Sequence, residues 1–113
     1  MDPGTAPDMN RGDPTASSRP SEHRFFVRGE IDIANAADLQ TDLDIEIRAH
    51  DDDIVVDCCG LTFIDSSGLA VLVQAQQRLQ ELGRTLRVTN ADHMTERLFE
   101  IMGLTNAFQV NDN

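Results

Sequence analysis

The stretch Leu61-Thr62-Phe63-Ile64-Asp65-Ser66-Ser67-Gly68-Leu69-Ala70 is where this chain changes period. An apolar run stops at an acidic residue, two hydroxyls and a glycine, and helical periodicity begins immediately afterwards. That pattern calls for a strand, or its exit loop, delivering two serines to the exposed N-terminus of a helix. The unpaired N–H groups and positive dipole end found there favour a phosphate. A serine in that place is a cap, a nucleophile or a phosphorylation switch, and the local pattern leaves all three open.

Strand and helix signals alternate on either side of this junction. His23 to Val27 reads as a short strand with Phe25 and Phe26, closed by Gly29. From Asn35 to His50, Ala36, Leu39, Leu43 and Ile47 recur at three- and four-residue steps, with Asp38, Asp42, Glu46 and Arg48 on the other face: an amphipathic helix. Asp51-Asp52-Asp53 makes the loop that ends it. Ile54-Val55-Val56 is β-branched and bounded by charge, as a buried central strand should be.

The helix after the serines spans about Ser67 to Leu82. Its core stripe is Leu69, Leu72, Val73, Ala75 and Leu79 with one polar interruption, Gln76, and Gly83 is placed to stop it. Leu86-Arg87-Val88 is the next strand. Asp92 or Thr95 opens a further helix with core residues Leu98, Ile101 and Met102, which Gly103 ends, and Ala107 to Val110 reads as a last strand. Alternation of this kind predicts an α/β fold, with a mixed or parallel sheet of about four strands and helices packed on it.

The first 21 residues stand apart. They hold all four prolines, two of the seven glycines and several small polar residues, and cannot bury enough apolar surface to offset their ordering entropy. The expectation is a disordered tail over residues 1–21 and a single domain over 22–113, with room for one core in a chain of 113 residues. No apolar run approaches the ~20 residues of a membrane span, and the acidic, Pro/Gly-rich start does not read as a signal peptide. A cytoplasmic protein is expected.

The net charge is −11, and every positive residue is arginine. This argues against direct binding to nucleic acid or an anionic membrane, both of which need a basic face to displace counterions. It suits a module that meets a basic surface on another protein, or a charge that only maintains solubility. Cys58 and Cys59 are adjacent, so a disulfide between them would be strained; they read as small buried side chains, with a redox sensor as the sharper alternative. No zinc spacing is present, since His23, His50 and His93 are isolated from one another and from the cysteines, so no metal and no cofactor is expected.

Three blocks then carry a resemblance. Gly29-Glu30-Ile31-Asp32 precedes the first helix, Val56-Asp57 is followed by Gly60-Leu61-Thr62-Phe63-Ile64-Asp65-Ser66-Ser67-Gly68-Leu69, and Arg97-Leu98-Phe99 leads to Met102-Gly103-Leu104. In this order and spacing the chain resembles a STAS domain of the bacterial anti-sigma-factor antagonist (anti-anti-sigma factor) family, whose members serve transcription regulation in the stress response.

The resemblance implies a STAS-type fold and a partner-switching mechanism. The unphosphorylated antagonist binds an anti-sigma factor that is also a GHKL-type serine kinase, which frees the sigma factor. Phosphorylation of the serine matching Ser66 dissolves that complex, and a metal-dependent PPM-type phosphatase reverses the mark. Such a protein is a substrate and a switch, not an enzyme, and no residue is expected to be catalytic.

Asp65 matches the acidic residue that helps present the serine hydroxyl, with a helix N-cap as its alternative role. Ser67 is a cap or first-turn residue, and Gly68 is expected to let the partner approach the backbone. Glu30 and Asp32 sit on a loop that the fold should place near Ser66, where they would dock the partner, unless Asp32 merely caps the first helix. Against the family pattern, no earlier strand is expected in residues 1–21 and no closing helix after the last strand, and Cys58-Cys59 is unusual. An under-covered sheet edge or face of this kind invites self-association or a partner.

Two rival functions remain. A hydrolase would need a base beside the serine, for which His93 is the placed candidate, yet Asp-Ser-Ser-Gly is not a Gly-x-Ser-x-Gly elbow. A non-switching STAS module, acting as scaffold or accessory subunit of a signalling or lipid-transport complex, would share most of these features.

Overall fold

The computed structural model describes residues 21–112. The expected tail therefore lies outside the described residues, save for Ser21. At the centre is β2 (Asp53–Ile64), flanked by β1 (Glu22–Ile31) and β3 (Leu86–Thr89) in the order β1-β2-β3. Both pairings are parallel, which explains why Ile54, Val55 and Val56 are apolar without alternation: each lies buried beneath neighbours on both sides.

Strand β2 is much longer than its β-branched core. It runs through the motif to Ile64, so the residues before the serines are strand and not loop. Its register against β1 slips twice, because β2 carries an extra residue at Cys58–Cys59 and another at Thr62. Bulges of this kind bend a strand and sharpen its twist. Strand β1 likewise continues past Gly29, which sits at φ 71° beside the second slip and does not end the strand.

Helix α1 (Ala36–Ala49) buries Ala36, Leu39, Leu43 and Ile47, the expected stripe, and α2 (Ser66–Glu81) buries Leu69, Val71, Leu72, Ala75, Gln76 and Leu79. The two crossovers step the same way across the sheet, so right-handed connections set α1 and α2 side by side on one face. The polar interruption Gln76 is satisfied there, its Nε2 donating to the Ala107 carbonyl at 2.5 Å. Helix α2 ends as expected: Gly83, at φ 73°, donates to the Gln80 carbonyl while Arg84 donates to that of Leu79.

Two expectations fail in the last third. Helix α3 (His93–Ile101) turns Phe99 and Thr95 inward, so Ile101 and Met102, expected in the core, are exposed. The burial follows Phe99, whose ring meets that of Phe108 edge-on at 5.3 Å. Ala107–Val110 is a run of turns and not a strand, with left-handed backbone at Gln109 and Asn111. It nonetheless flanks β3 as a fourth strand would: Val88 N–H donates to the Phe108 carbonyl and Asn111 N–H to the Val88 carbonyl. Among the described residues, no helix is long and apolar enough to cross a membrane.

Candidate functional site

Because β1 and β2 are parallel, both end at the same pole of the domain, with Ile31 in register with Ile64. The Asp65 N–H donates to the Ile31 carbonyl at 3.1 Å, tying the β2–α2 junction to the end of β1. Asp65 is the N-cap of α2, in extended conformation, and its Oδ1 accepts from the N–H groups of Ser67 (2.9 Å) and Gly68 (3.3 Å). The capping role weighed for Asp65 is therefore real. Ser66 is the first helical residue and is exposed; among the described residues its hydroxyl and its N–H have no hydrogen-bond partner. A cap role for Ser66 is excluded, because Asp65 holds that place.

Gly68 requires a correction. It is buried, and a Cβ placed there would lie 2.7 Å from both Ile31 Cγ2 and Ile64 Cγ1. The close approach that its missing side chain permits is internal, by the last residues of β1 and β2, and not that of a partner. Ser67 is half-buried, its N–H already engaged by Asp65.

The expected docking acids meet the same pole by different means. Asp32 shapes the loop after β1 and does not cap α1: its Oδ1 accepts from Ala34 N–H, and its carbonyl accepts from Asn35 and Ala36. The Asn35 side chain closes the loop, accepting from Asp32 N–H and donating to the Glu30 carbonyl. Glu30 pairs in register with Phe63 and is exposed.

Residues that sequence reasoning missed surround this pole. Ile33 (82 % exposed), Phe63, Met94 (79 %) and Ile101 (69 %) leave large apolar surface in water. A groove of about 240 Å³ opens between the end of β2 and α3, walled by Phe63, Ile64, Met94, Leu98 and Ile101. Met94, Leu98 and Ile101 share one face of α3 at i, i+4 and i+7, but Phe63 and Ile33 come from other elements, so no local period announces the surface as a whole. Contiguous apolar surface rimmed by polar groups is the usual mark of a protein contact.

Behind the junction lies a buried charge. Asp57, 3 % exposed, accepts from Arg24 on β1, from Asn90 Nδ2 at 3.1 Å and from Cys59 N–H at 3.0 Å. Burial alone would push its carboxyl up, but these hydrogen bonds outweigh it and hold the group down at about 2. The cysteines divide: Cys58 is buried, its thiol pushed up to about 12 by burial and by the Asp57 and Asp92 charges, whereas Cys59 is exposed and so departs from the expected buried pair.

The histidines also depart from expectation. His23 and His50 are not isolated, since β1 and α1 bring them together around Glu46. His93 projects into water at 96 % exposed, with Glu96 Oε1 3.9 Å from its Nδ1, so among the described residues it is not oriented as the base of a triad.

Residues 14–113 match the model of the STAS domain. The chain belongs to the STAS domain family. An anti-sigma-B factor antagonist of Staphylococcus aureus (strain NCTC 8325 / PS 47) is 29 % identical to this STAS domain over 95 residues, or 81 % of this chain and 88 % of that protein. The unphosphorylated form of the anti-sigma factor antagonist SpoIIAA shares its fold at a TM-score of 0.68 with 18 % identity, covering 79 % of this chain and 78 % of the other. A sulfate transporter family protein of Wolinella succinogenes does so at 0.67 with 20 % identity, covering 88 % and 86 %.

Proposed function

We propose that this STAS domain is a bacterial, cytoplasmic anti-sigma-factor antagonist controlled by phosphorylation of Ser66. The observation that carries the reading is the Ser66 hydroxyl, exposed and without a partner among the described residues, on the first turn of a helix whose cap is supplied by its neighbour. The resemblance to antagonists supports the same role, and the protein is read as a substrate and not as an enzyme. Its partner is an anti-sigma factor with GHKL-type serine kinase activity, and a PPM-type phosphatase restores the binding form.

The partner surface takes in Ser66, Ser67 and Asp65, the acids Glu30 and Asp32, and the apolar side chains Ile33, Phe63, Met94 and Ile101. Gly68 contributes from beneath by letting α2 seat on Ile31 and Ile64. With a net charge of −11 over the chain, the protein suits a partner face that is basic around an apolar centre.

A phosphate on Ser66 adds about −1.5 to −2 of charge. Asp65 already occupies the Ser67 and Gly68 N–H groups, so the helix end cannot receive the phosphate fully without displacing that carboxylate. In the free protein water solvates it. In a closed contact it must be desolvated beside Asp65, at a cost of about 3 to 5 kcal/mol, or at least ~100-fold in affinity. Binding is thus abolished without refolding.

The test uses Ser66→Ala and Ser66→Asp as paired baits in lysate of the native host, with mass spectrometry of what each retains. A GHKL-type kinase held by the alanine bait and lost from the aspartate bait, then phosphorylating the wild-type chain on Ser66 when purified, is the expected result. Equal capture of transporter or scaffold subunits by both baits would refute the switch and make Ser66 a plain first-turn residue.

A further inference from the structure

At the pole opposite Ser66, the geometry points to a binding site for a borderline divalent transition-metal ion, zinc in the first place, formed by His23, Glu46 and His50. His23 is the second residue of β1, while Glu46 and His50 stand one turn apart at the end of α1. Glu46 Oε1 receives His23 Nε2 in a short contact and lies 3.5 Å from His50 Nε2. A ligand atom from each of the three side chains falls within 4.8 Å of the others. The two imidazoles stack at 3.7 Å between centroids and 18° between planes, and each turns its Nε2 to Glu46 Oε1.

Three features favour a cation at that point. Ligands bonded at about 2.0–2.1 Å in a tetrahedron stand about 3.3 Å apart, close to the His50–Glu46 spacing, and the His23 contact opens to it by side-chain rotation. His50 is the C-cap of α1, where the carbonyl end of the helix carries partial negative charge. The next three residues are Asp51, Asp52 and Asp53, and Arg84, a cation reaching this end of α1, is committed to the Ile47 and Asp52 carbonyls. Two imidazoles and one carboxylate suit zinc, cobalt, nickel or copper and not calcium or magnesium, which take oxygen donors.

With His23, Glu46 and His50 at 27, 29 and 36 % exposed, the site is half-enclosed and leaves a fourth position open to water or to a donor from another molecule. Its bound ion would clip the start of β1 to the end of α1. Strand β1 separates it from the Ser66 pole by about 30 Å, at ~3.3 Å per residue, so the inference stands apart from the switch.

The test is a titration of the tag-free, chelator-stripped full chain with Zn²⁺ by calorimetry, with Co²⁺ as a paramagnetic probe of the histidine rings by NMR. One ion per chain is expected, with Tm raised by about 10 °C or more at free zinc a hundredfold above Kd. His23→Gln and His50→Gln should each weaken binding by at least ~100-fold, more than loss of an outer-shell partner costs. Because those variants also loosen the clamp, the wild-type chain supplies a second reading: Co²⁺ should broaden the His23 and His50 rings and spare His93. Absence of zinc binding, affinity unchanged in both variants, or equal broadening of His93 would overturn the site and leave the triad as a hydrogen-bonded clamp.

Discussion

Asp57→Asn isolates the worth of the charge buried under the β2 bulge. The wild-type carboxyl is held at about 2, well below the 3.8 of an ordinary aspartate. At about 1.4 kcal/mol per pH unit, that depression corresponds to about 2 kcal/mol of stability. The group is 3 % exposed, so solvent does little to screen it. Asparagine keeps the shape and can still accept from Cys59 and Asn90, but offers Arg24 no charge. The Arg24 side chain is nearly half-exposed and returns to water, so the expected loss at pH 7 is about 2 kcal/mol.

The folded value lies below the unfolded one. The contribution is therefore complete above about pH 4 to 5 and is lost as pH falls towards 2. Urea unfolding of both proteins across this range gives the gap directly, and other acid effects common to both cancel. The gap should be about 2 kcal/mol at neutral pH and close to zero near pH 2. A constant gap, or none at pH 7, would refute the assignment of that stability to the ionised form.

Gly68→Ala should cost about 1 to 3 kcal/mol, since its methyl group would meet Ile31 and Ile64 at 2.7 Å and α2 would have to lift at its N-terminus. Thermal unfolding measures the cost, and a partner-binding assay should show weakening although no exposed atom has been replaced; unchanged stability would mean that the junction yields freely. Native protein should react with a thiol reagent rapidly at one site, Cys59, with Cys58 slower by at least about tenfold until denaturant is added, because its thiol is buried and pushed up to about 12. Cys59→Ser should remove the fast phase, and two fast equivalents in the native state would contradict the assignment.

What was legible in the sequence was local. The stripe Ala36–Leu39–Leu43–Ile47 and the stop at Gly83 each follow from a period or a turn geometry that a few neighbouring residues determine. Asp65 and Ser66 were legible for the same reason, since a cap and the residue after it are adjacent in the chain. Helix α3 defeated the same reasoning: Leu98, Phe99, Ile101 and Met102 offer two apolar faces, and only the ring of Phe108 decides which one turns inward. Ala107 to Val110 has strand-like composition, but Asn111 ties itself to both the N–H and the carbonyl of Ala91 and bends the segment into turns. The purpose of Gly68, the apolar rim around Ser66 and the His23–Glu46–His50 cluster all depend on side chains from separate elements; the one-turn spacing of Glu46 and His50 is written along the chain, but their meeting with His23 is not.

The single bond from Asp65 N–H to the Ile31 carbonyl gives the serine pole a built-in reporter. That amide proton can exchange with solvent only when the junction parts from the end of β1, so its exchange rate counts how often the pole opens. A partner gripping both loops should slow it, and a change confined to the Ser66 side chain should leave it alone. The clock for this surface is therefore one backbone proton, next in sequence to the hydroxyl on which the proposed switch turns.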